Sequence, residues 1–301
     1  MATKYEDVRE NERVLLSMTG LTRSEFERLL PVFERAWDEK EANEIEAGGD
    51  RQRARGGGRT AVLAAIENKL LFILVYFKTY PLQTALGLMF GMGQSQANDW
   101  IHRLGGVART ALDELGMLPE RDPERLAEVL AEDGAEEVVI DGADRRIQRP
   151  KDDARQRKYY SGKKKAHTVK NNVVVDAGDR KVKYLSGTCE GKKSDKKLCD
   201  EENPTFPEDI TLYKDKGFQG YEPEGVETRQ PKKKPKGGEL SVEEKVENAV
   251  ISGTRIVVEH VISGIKRCRI VKDVFRNTKK DFCDLVMEIA CGLHNFRTEC
   301  R

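Results

Sequence analysis

The sequence predicts an α/β protein: a mixed-sheet domain preceded by an all-α region that contains a helix-turn-helix. Three observations lead there. Up to about residue 130 the apolar residues recur at helical spacing, punctuated by glycine and proline. From 136 onward short β-branched runs take over, at 137–141, 167–176, 182–188 and 210–214. After them Ser241-Val242-Glu243-Glu244 forms a capping box that opens a last long helical stretch. The expected division is therefore 1–130 and 131–301.

Composition sets the outer limits. A chain of 301 residues can hold two domains and a substantial core. With 38% hydrophobic and 35% charged residues it reads as soluble and charge-rich. The richest apolar stretch, Leu70–Phe77, is bracketed by Lys69 and Lys78 and is too short to span a bilayer, so no membrane partner is expected. The first residues lack a basic region followed by an apolar one, which leaves a cytoplasmic location as the expectation. Six cysteines show no CxxC pair and no grouping with histidine, which argues for reduced thiols and against zinc.

Residues 21–37 have helical spacing, with Leu21, Phe26, Leu29, Leu30, Val32 and Phe33 apolar and Thr22 or Ser24 available as cap. Gly48–Arg59 is too glycine-rich for a regular element. It reads as a linker or as a flexible basic arm able to enter a DNA groove, and both readings stand. A core helix follows around 70–77, and Pro81 suits the first turn of a short helix ending at Phe90. Gly91-Met92-Gly93 makes a turn, and Gln94–Leu104 forms the next helix. Helix, glycine turn and a helix opening with amides and a serine make a helix-turn-helix pattern. Ala97, Trp100, Ile101 and Leu104 face its core, leaving Gln94, Ser95, Gln96, Asn98 and Arg103 free to meet bases or phosphates.

In the second region three strands, a helix around 193–200 and a further strand follow one another, which is the order of an RNase H-like sheet. That order lays the first and fourth strands side by side and brings Asp141 and Asp215, each at the end of an apolar run, together. The helix opened by Ser241 is expected to break near Gly253. Beyond it Arg255, Glu259 and Lys266 share one face, with Lys266 about 10 Å along the axis from Glu259. Val258, Val261, Ile262 and Ile265 form the neighbouring apolar stripe.

Singly, an Asp before Gly is a turn residue and a helical Glu faces water. Their order and surroundings say more. Two strand-end aspartates and a helix glutamate build an oxygen-only pocket that suits Mg²⁺. Paired ions about 4 Å apart can serve phosphodiester chemistry. The net charge of +1 conceals an acidic segment at 120–137 and a strongly basic one at 145–170. The basic segment includes Lys163, Lys164 and Lys165 and directly follows the strand bearing Asp141, where a polyanion would approach.

These motifs together resemble a bacterial DDE transposase of the IS5 insertion-sequence group over nearly the whole chain. Gly56–Arg59, Lys69–Leu74 and Gln94–Ile101 are similar to its DNA-binding region. Val139-Ile140-Asp141-Gly142, Lys214–Gly220 and the Arg255, Glu259, Lys266 spacing are similar to its three acidic motifs. The resemblance implies a DNA transposase in which Asp141, Asp215 and Glu259 hold two Mg²⁺ ions, with Mn²⁺ able to substitute. It also implies that Arg255, Lys266 and the basic segment hold phosphates, and that the partner is double-stranded DNA, both element ends and target, bound by a dimer or larger assembly. The chain departs from relatives in having Ser252 where a Tyr is frequent and Ser194-Asp195 where His-Asp is frequent. Asp195 is left outside the metal set. A transposase-derived DNA-binding protein that no longer cuts is disfavoured by the presence of all three acids. An RNase H-like nuclease without strand transfer is disfavoured by the helix-turn-helix.

Overall fold

The computed structural model describes residues 2–47, 62–235 and 237–301. The glycine-rich segment at 48–59, with both of its readings, lies outside the described residues. The chain divides into two compact units: residues 1–117 with 267–271 and 285–301, and residues 118–266 with 272–284.

The first unit is helical, with α1 (Tyr5–Val8), α2 (Glu12–Thr19), α3 (Arg23–Ala47), α4 (Ile66–Thr79), α5 (Gln83–Phe90) and α6 (Gln94–Glu114). Thr22 caps α3: its Oγ1 accepts from the Glu25 N–H at 3.2 Å, and the Glu25 carboxylate accepts from the Thr22 N–H at 2.7 Å. The helix runs ten residues past the predicted end. Its extension has no apolar face but is mostly Glu, Ala and Lys, strong helix formers, with a Lys40–Glu44 pair one turn apart at 3.3 Å. Residues 69–77 of α4 are all buried, as a core helix requires. α6 passes the predicted end at Leu104 because Val107, Ala108, Ala111 and Leu112 continue its buried stripe. The chain returns to this unit at its end, where Glu288 takes a two-pronged bond from Arg109 at 3.0 and 3.1 Å.

The second unit contains α7 (Leu126–Glu132), β1 (Glu137–Arg146), α8 (Asp153–Tyr159), β2 (Tyr160–Ser161), β3 (Ala166–Asp176), β4 (Val182–Leu185), β5 (Cys189–Glu190), α9 (Asp195–Glu202), β6 (Thr211–Lys214), a 3₁₀ turn (Lys216–Phe218), β7 (Glu227–Arg229) and α10 (Val242–Ile265). Two further helices complete the chain, α11 (Arg269–Lys272) and α12 (Phe282–Glu299). β3 lies antiparallel to β1 and carries β4 and β5 on its other edge, whereas β6 is parallel to β1 and β7 to β6. This is the RNase H-like strand order, with the first strand and β6 adjacent as expected.

β1 extends five residues past its predicted end because the eleven-residue β3 continues to pair with it, from Val138↔Asp176 to Arg146↔Thr168. Alternation sends Val138 and Ile140 into a core with Leu126, Leu130, Val174, Cys199, Leu212 and Phe218. It sends Val139 and Asp141 to the opposite face, where α10 packs on β1 and β6. The expected break near Gly253 does not occur. α10 is one helix of 24 residues, opened by the Ser241–Glu244 capping box and buried at Ile251, Val258, Val261 and Ile265. One helical glycine costs only about 1 kcal/mol, less than burying any two of those side chains returns.

Candidate active site

The β1–β6 register pairs Val139 with Tyr213 and Ile140 with Lys214, so Asp141 and Asp215 come next, abreast and on the same face. β6 stops at Lys214 while β1 continues to Arg146. Asp141 is thus a mid-strand residue rather than a strand end. The site opens there because its neighbour strand has ended.

Local bonds fix both acids. Asp141 Oδ1 accepts from the Gly142 N–H at 2.7 Å. Asp215 caps the 3₁₀ turn by accepting from the Gly217 N–H, and its carbonyl accepts from the Gln230 side chain. Just before it, Lys214 turns to the other face, fully buried, and donates to the Tyr221 carbonyl and to Glu222 Oε1, the latter at 2.6 Å. Phe218 is buried beside them. In Lys214–Gly220, therefore, Lys214 and Phe218 are buried and hold the loop that presents Asp215. Arg255 of α10 lies 3.9 Å from Asp215 Oδ2.

Burial pushes the Asp141 carboxyl up to about 6; the Gly142 N–H opposes this, Asp215 and Asp195 add to it, and Arg255 counters them. Lys266, which ends α10, is pulled below the ordinary lysine value chiefly by burial and then by Lys164, against the opposing charges of Asp144 and Asp141. Lys266 therefore stands within electrostatic reach of both Asp141 and Lys164. Glu259 is exposed on α10, one turn past Arg255 and about 6 Å further along the axis.

The donors fit a hard divalent cation: two side-by-side carboxylates, one of them poorly solvated and repelled by the other. They form an open pair. Among the described residues no three His, Cys, Asp or Glu side chains close around one point. The structure brings Asp141 and Asp215 together and leaves Glu259 standing clear on its helix.

Asp195, left outside the site by the sequence reading, lies against it. It opens α9, and its Oδ1 takes an ion pair from Lys170 at 2.7 Å. A Cβ placed on Gly142 would meet Asp195 Oδ1 at 2.6 Å, and one on Gly217 would meet Oδ2 at 3.2 Å. The sequence signals were the Ser194-Asp195 pair, where relatives frequently have His-Asp, and a glycine soon after each catalytic-motif aspartate, which reads equally well as a turn.

In the helix-turn-helix, Gln94, Ser95 and Gln96 are exposed on the first turn of α6. Asn98 is half-buried: its Oδ1 accepts from Gln83 at 2.9 Å, and Gln83 Oε1 accepts from Gln94 at 2.7 Å, bracing α5 against α6. Arg103 is not free, contrary to expectation. It pairs with Glu44 at 2.8 Å and Glu41 at 3.3 Å, and its guanidinium sits 4.3 Å from the Trp37 ring centre. The extension of α3, invisible to apolar periodicity, supplies both acids.

The basic segment divides in a similar way. Lys163, Lys164 and Lys165 are exposed in the turn between β2 and β3, closed by the Ser161↔Ala166 pair. Arg145 is buried, donating to Asn171 Oδ1 at 2.6 Å, Thr188 Oγ1 at 3.0 Å and the Cys283 carbonyl at 2.7 Å. Lys170 is buried on Asp195. Neither of these two can meet a phosphate.

Comparison with known proteins finds relatives of both regions of the chain. Residues 62–114, which span α4 to α6, match the helix-turn-helix of DDE superfamily endonuclease. A "Probable transposase for insertion sequence element IS702" from Microchaete diplosiphon is 26% identical over 279 residues, covering 93% of this chain and 92% of that protein. No solved structure matches significantly. Residues 140–295, just over half of the chain and including Asp141, Asp215 and Glu259, match the family described as DDE superfamily endonuclease, and the chain belongs to that family.

Proposed function

We propose that this protein is a DNA transposase of the IS5 kind, which binds the ends of an insertion element, cleaves there and joins the freed 3′-OH to target DNA. The observation that carries the reading is the side-by-side placement of Asp141 and Asp215 where β6 ends, with Arg255 beside them on the crossing helix. Asp141, Asp215 and Glu259 would hold Mg²⁺, two ions per site, with Mn²⁺ able to take its place. Bound metal would supply Lewis-acid chemistry: a more acidic nucleophile oxygen and a neutralised leaving oxygen.

The chain's own residues do the rest. Arg255 offsets part of the carboxylate charge, so the pair need not be fully neutralised before DNA arrives. Lys266, within electrostatic reach of Asp141, and Lys164 near it would bind the phosphates flanking the reacting one. Gln94, Ser95 and Gln96 open a helix in the manner of recognition helices, whose N-terminal residues reach base edges in the major groove. Asn98 is placed to assist through its brace with Gln83. The two element ends call for at least two copies of the chain on DNA.

The test is nicking and joining of a labelled element end by the full chain. Activity should need Mg²⁺ or Mn²⁺ and should vanish in each of Asp141→Asn, Asp215→Asn and Glu259→Gln. Nicking that survives any one substitution removes that acid from the proposed set. Nicking without joining would identify a nuclease instead.

A further inference from the structure

We propose that Asp195 is a positioning residue of this site, whose charge, balanced against Lys170, sets how tightly Asp141 and Asp215 hold a divalent cation. The inference rests on the reading that those two acids bind the metal. Its first support is space. Gly142 and Gly217 both lie outside the left-handed backbone region, so neither is required to be glycine by its φ. Gly142 gives room to the Asp195 carboxylate, which a Cβ there would meet at 2.6 Å; a Cβ on Gly217 would meet Asp215 Oδ1 at 2.7 Å and Asp195 Oδ2 at 3.2 Å. Gly142 directly follows Asp141, and the Gly217 N–H donates to Asp215 Oδ1. One carboxylate therefore touches the chain beside both acids.

The second support is how firmly that carboxylate is held. The Asp195 side chain is 13% exposed, and Lys170, 8% exposed, bonds it at 2.7 Å from a strand position opposite Asp144. Ser194 caps α9 by accepting from the Lys197 N–H, and Asn172 donates to the Asp195 carbonyl at 2.9 Å. Backbone and side chain are thus both fixed. A third negative charge beside two others draws a cation in, and the lysine damps that pull. The pair thereby sets the field without ligating the ion.

A purely structural role, holding α9 on β3, would make substitution at either residue lower stability and leave metal affinity alone. A role in setting the field predicts opposite signs. In the full-length protein, Mn²⁺ binding should be measured by calorimetry in parallel with the Mg²⁺-dependent shift in unfolding temperature. Asp195→Asn keeps the shape, loses the charge and leaves Lys170 uncompensated; its Mn²⁺ dissociation constant should rise about tenfold. Lys170→Gln leaves Asp195 undamped, and its constant should fall about threefold. If one of the two does not fold, the other still decides through its own direction. Constants within twofold of wild type in both would overturn the inference. Asp141→Asn serves as the control: if it binds Mn²⁺ as wild type does, the metal-site reading itself fails, and the inference with it.

Discussion

Asp141→Asn should make the metal-free protein more stable, and the size of the gain follows from its surroundings. An ordinary aspartate has a pKa of 3.8, whereas burial and two neighbouring acids push this one up to about 6. The folded state therefore holds the proton more tightly than the unfolded chain does. Stability from this source is greatest below pH 3.8, erodes as pH rises towards about 6, and is fully lost above that. Ionised Asp141 thus costs the apo protein about 3 kcal/mol at neutral pH. Asparagine keeps the acceptor for the Gly142 N–H and removes the charge. The variant should unfold roughly 5–10 °C higher at pH 7.5, with the gap closing as pH approaches 4.

Metal should close most of that gap. At one hundred times its dissociation constant, Mg²⁺ would stabilise wild type by about 2.7 kcal/mol, while the variant should gain little. Thermal unfolding at pH 5, 6, 7 and 8, with and without Mg²⁺, measures both effects. A variant advantage that does not grow with pH would refute the electrostatic account. An equal Mg²⁺ gain in the variant would refute the assignment of Asp141 to the metal.

Three further outcomes can be read from binding and melting. Replacing Gln94, Gln96 and Asn98 together with alanine should weaken binding to element ends in a mobility-shift assay while sparing non-specific DNA; equal loss on both would move base reading elsewhere. Neutralising Lys163, Lys164 and Lys165 should flatten the log–log salt dependence of DNA affinity by up to about 2.7, at roughly 0.9 per phosphate, and an unchanged slope would mark them as solvated surface. Arg103→Met should lower stability by about 1–2 kcal/mol through loss of the Glu41, Glu44 and Trp37 contacts, and should leave DNA affinity at wild type.

The strand order and the pairing of β1 with β6 were legible because each is written in an apolar run followed by an aspartate, and sheet order constrains which runs can be neighbours. The capping box at Ser241 was legible because both of its bonds are local. What escaped depended on a partner distant in sequence. The tail of α3 has no apolar face, so its length shows only through propensity and through Arg103, which lies some sixty residues away. β1 past Asp141 reads as polar, and only the length of β3 makes it a strand. Gly253 looked like a break because its penalty is visible in sequence and the burial of its neighbours is not. Asp195 needed the fold itself, since nothing local ties it to Gly142 and Gly217.

The basic segment shows why charge counting overstates a binding surface. Strand alternation sends every second residue of β1 and β3 to a given face, and both faces of a central strand are covered. Charges falling on such strands must be satisfied inside the protein or the fold fails. Arg145 finds a side-chain amide, a hydroxyl and a backbone carbonyl; Lys170 finds a carboxylate. Both are thereby removed from any polyanion's reach. The turn between β2 and β3 is under no such constraint, so its three lysines keep their charge at the surface, on the side of the sheet domain where Lys266 feels Lys164. The part of this segment available to DNA is therefore set by where the strands end, and the salt dependence of binding should report on the turn rather than on the whole run.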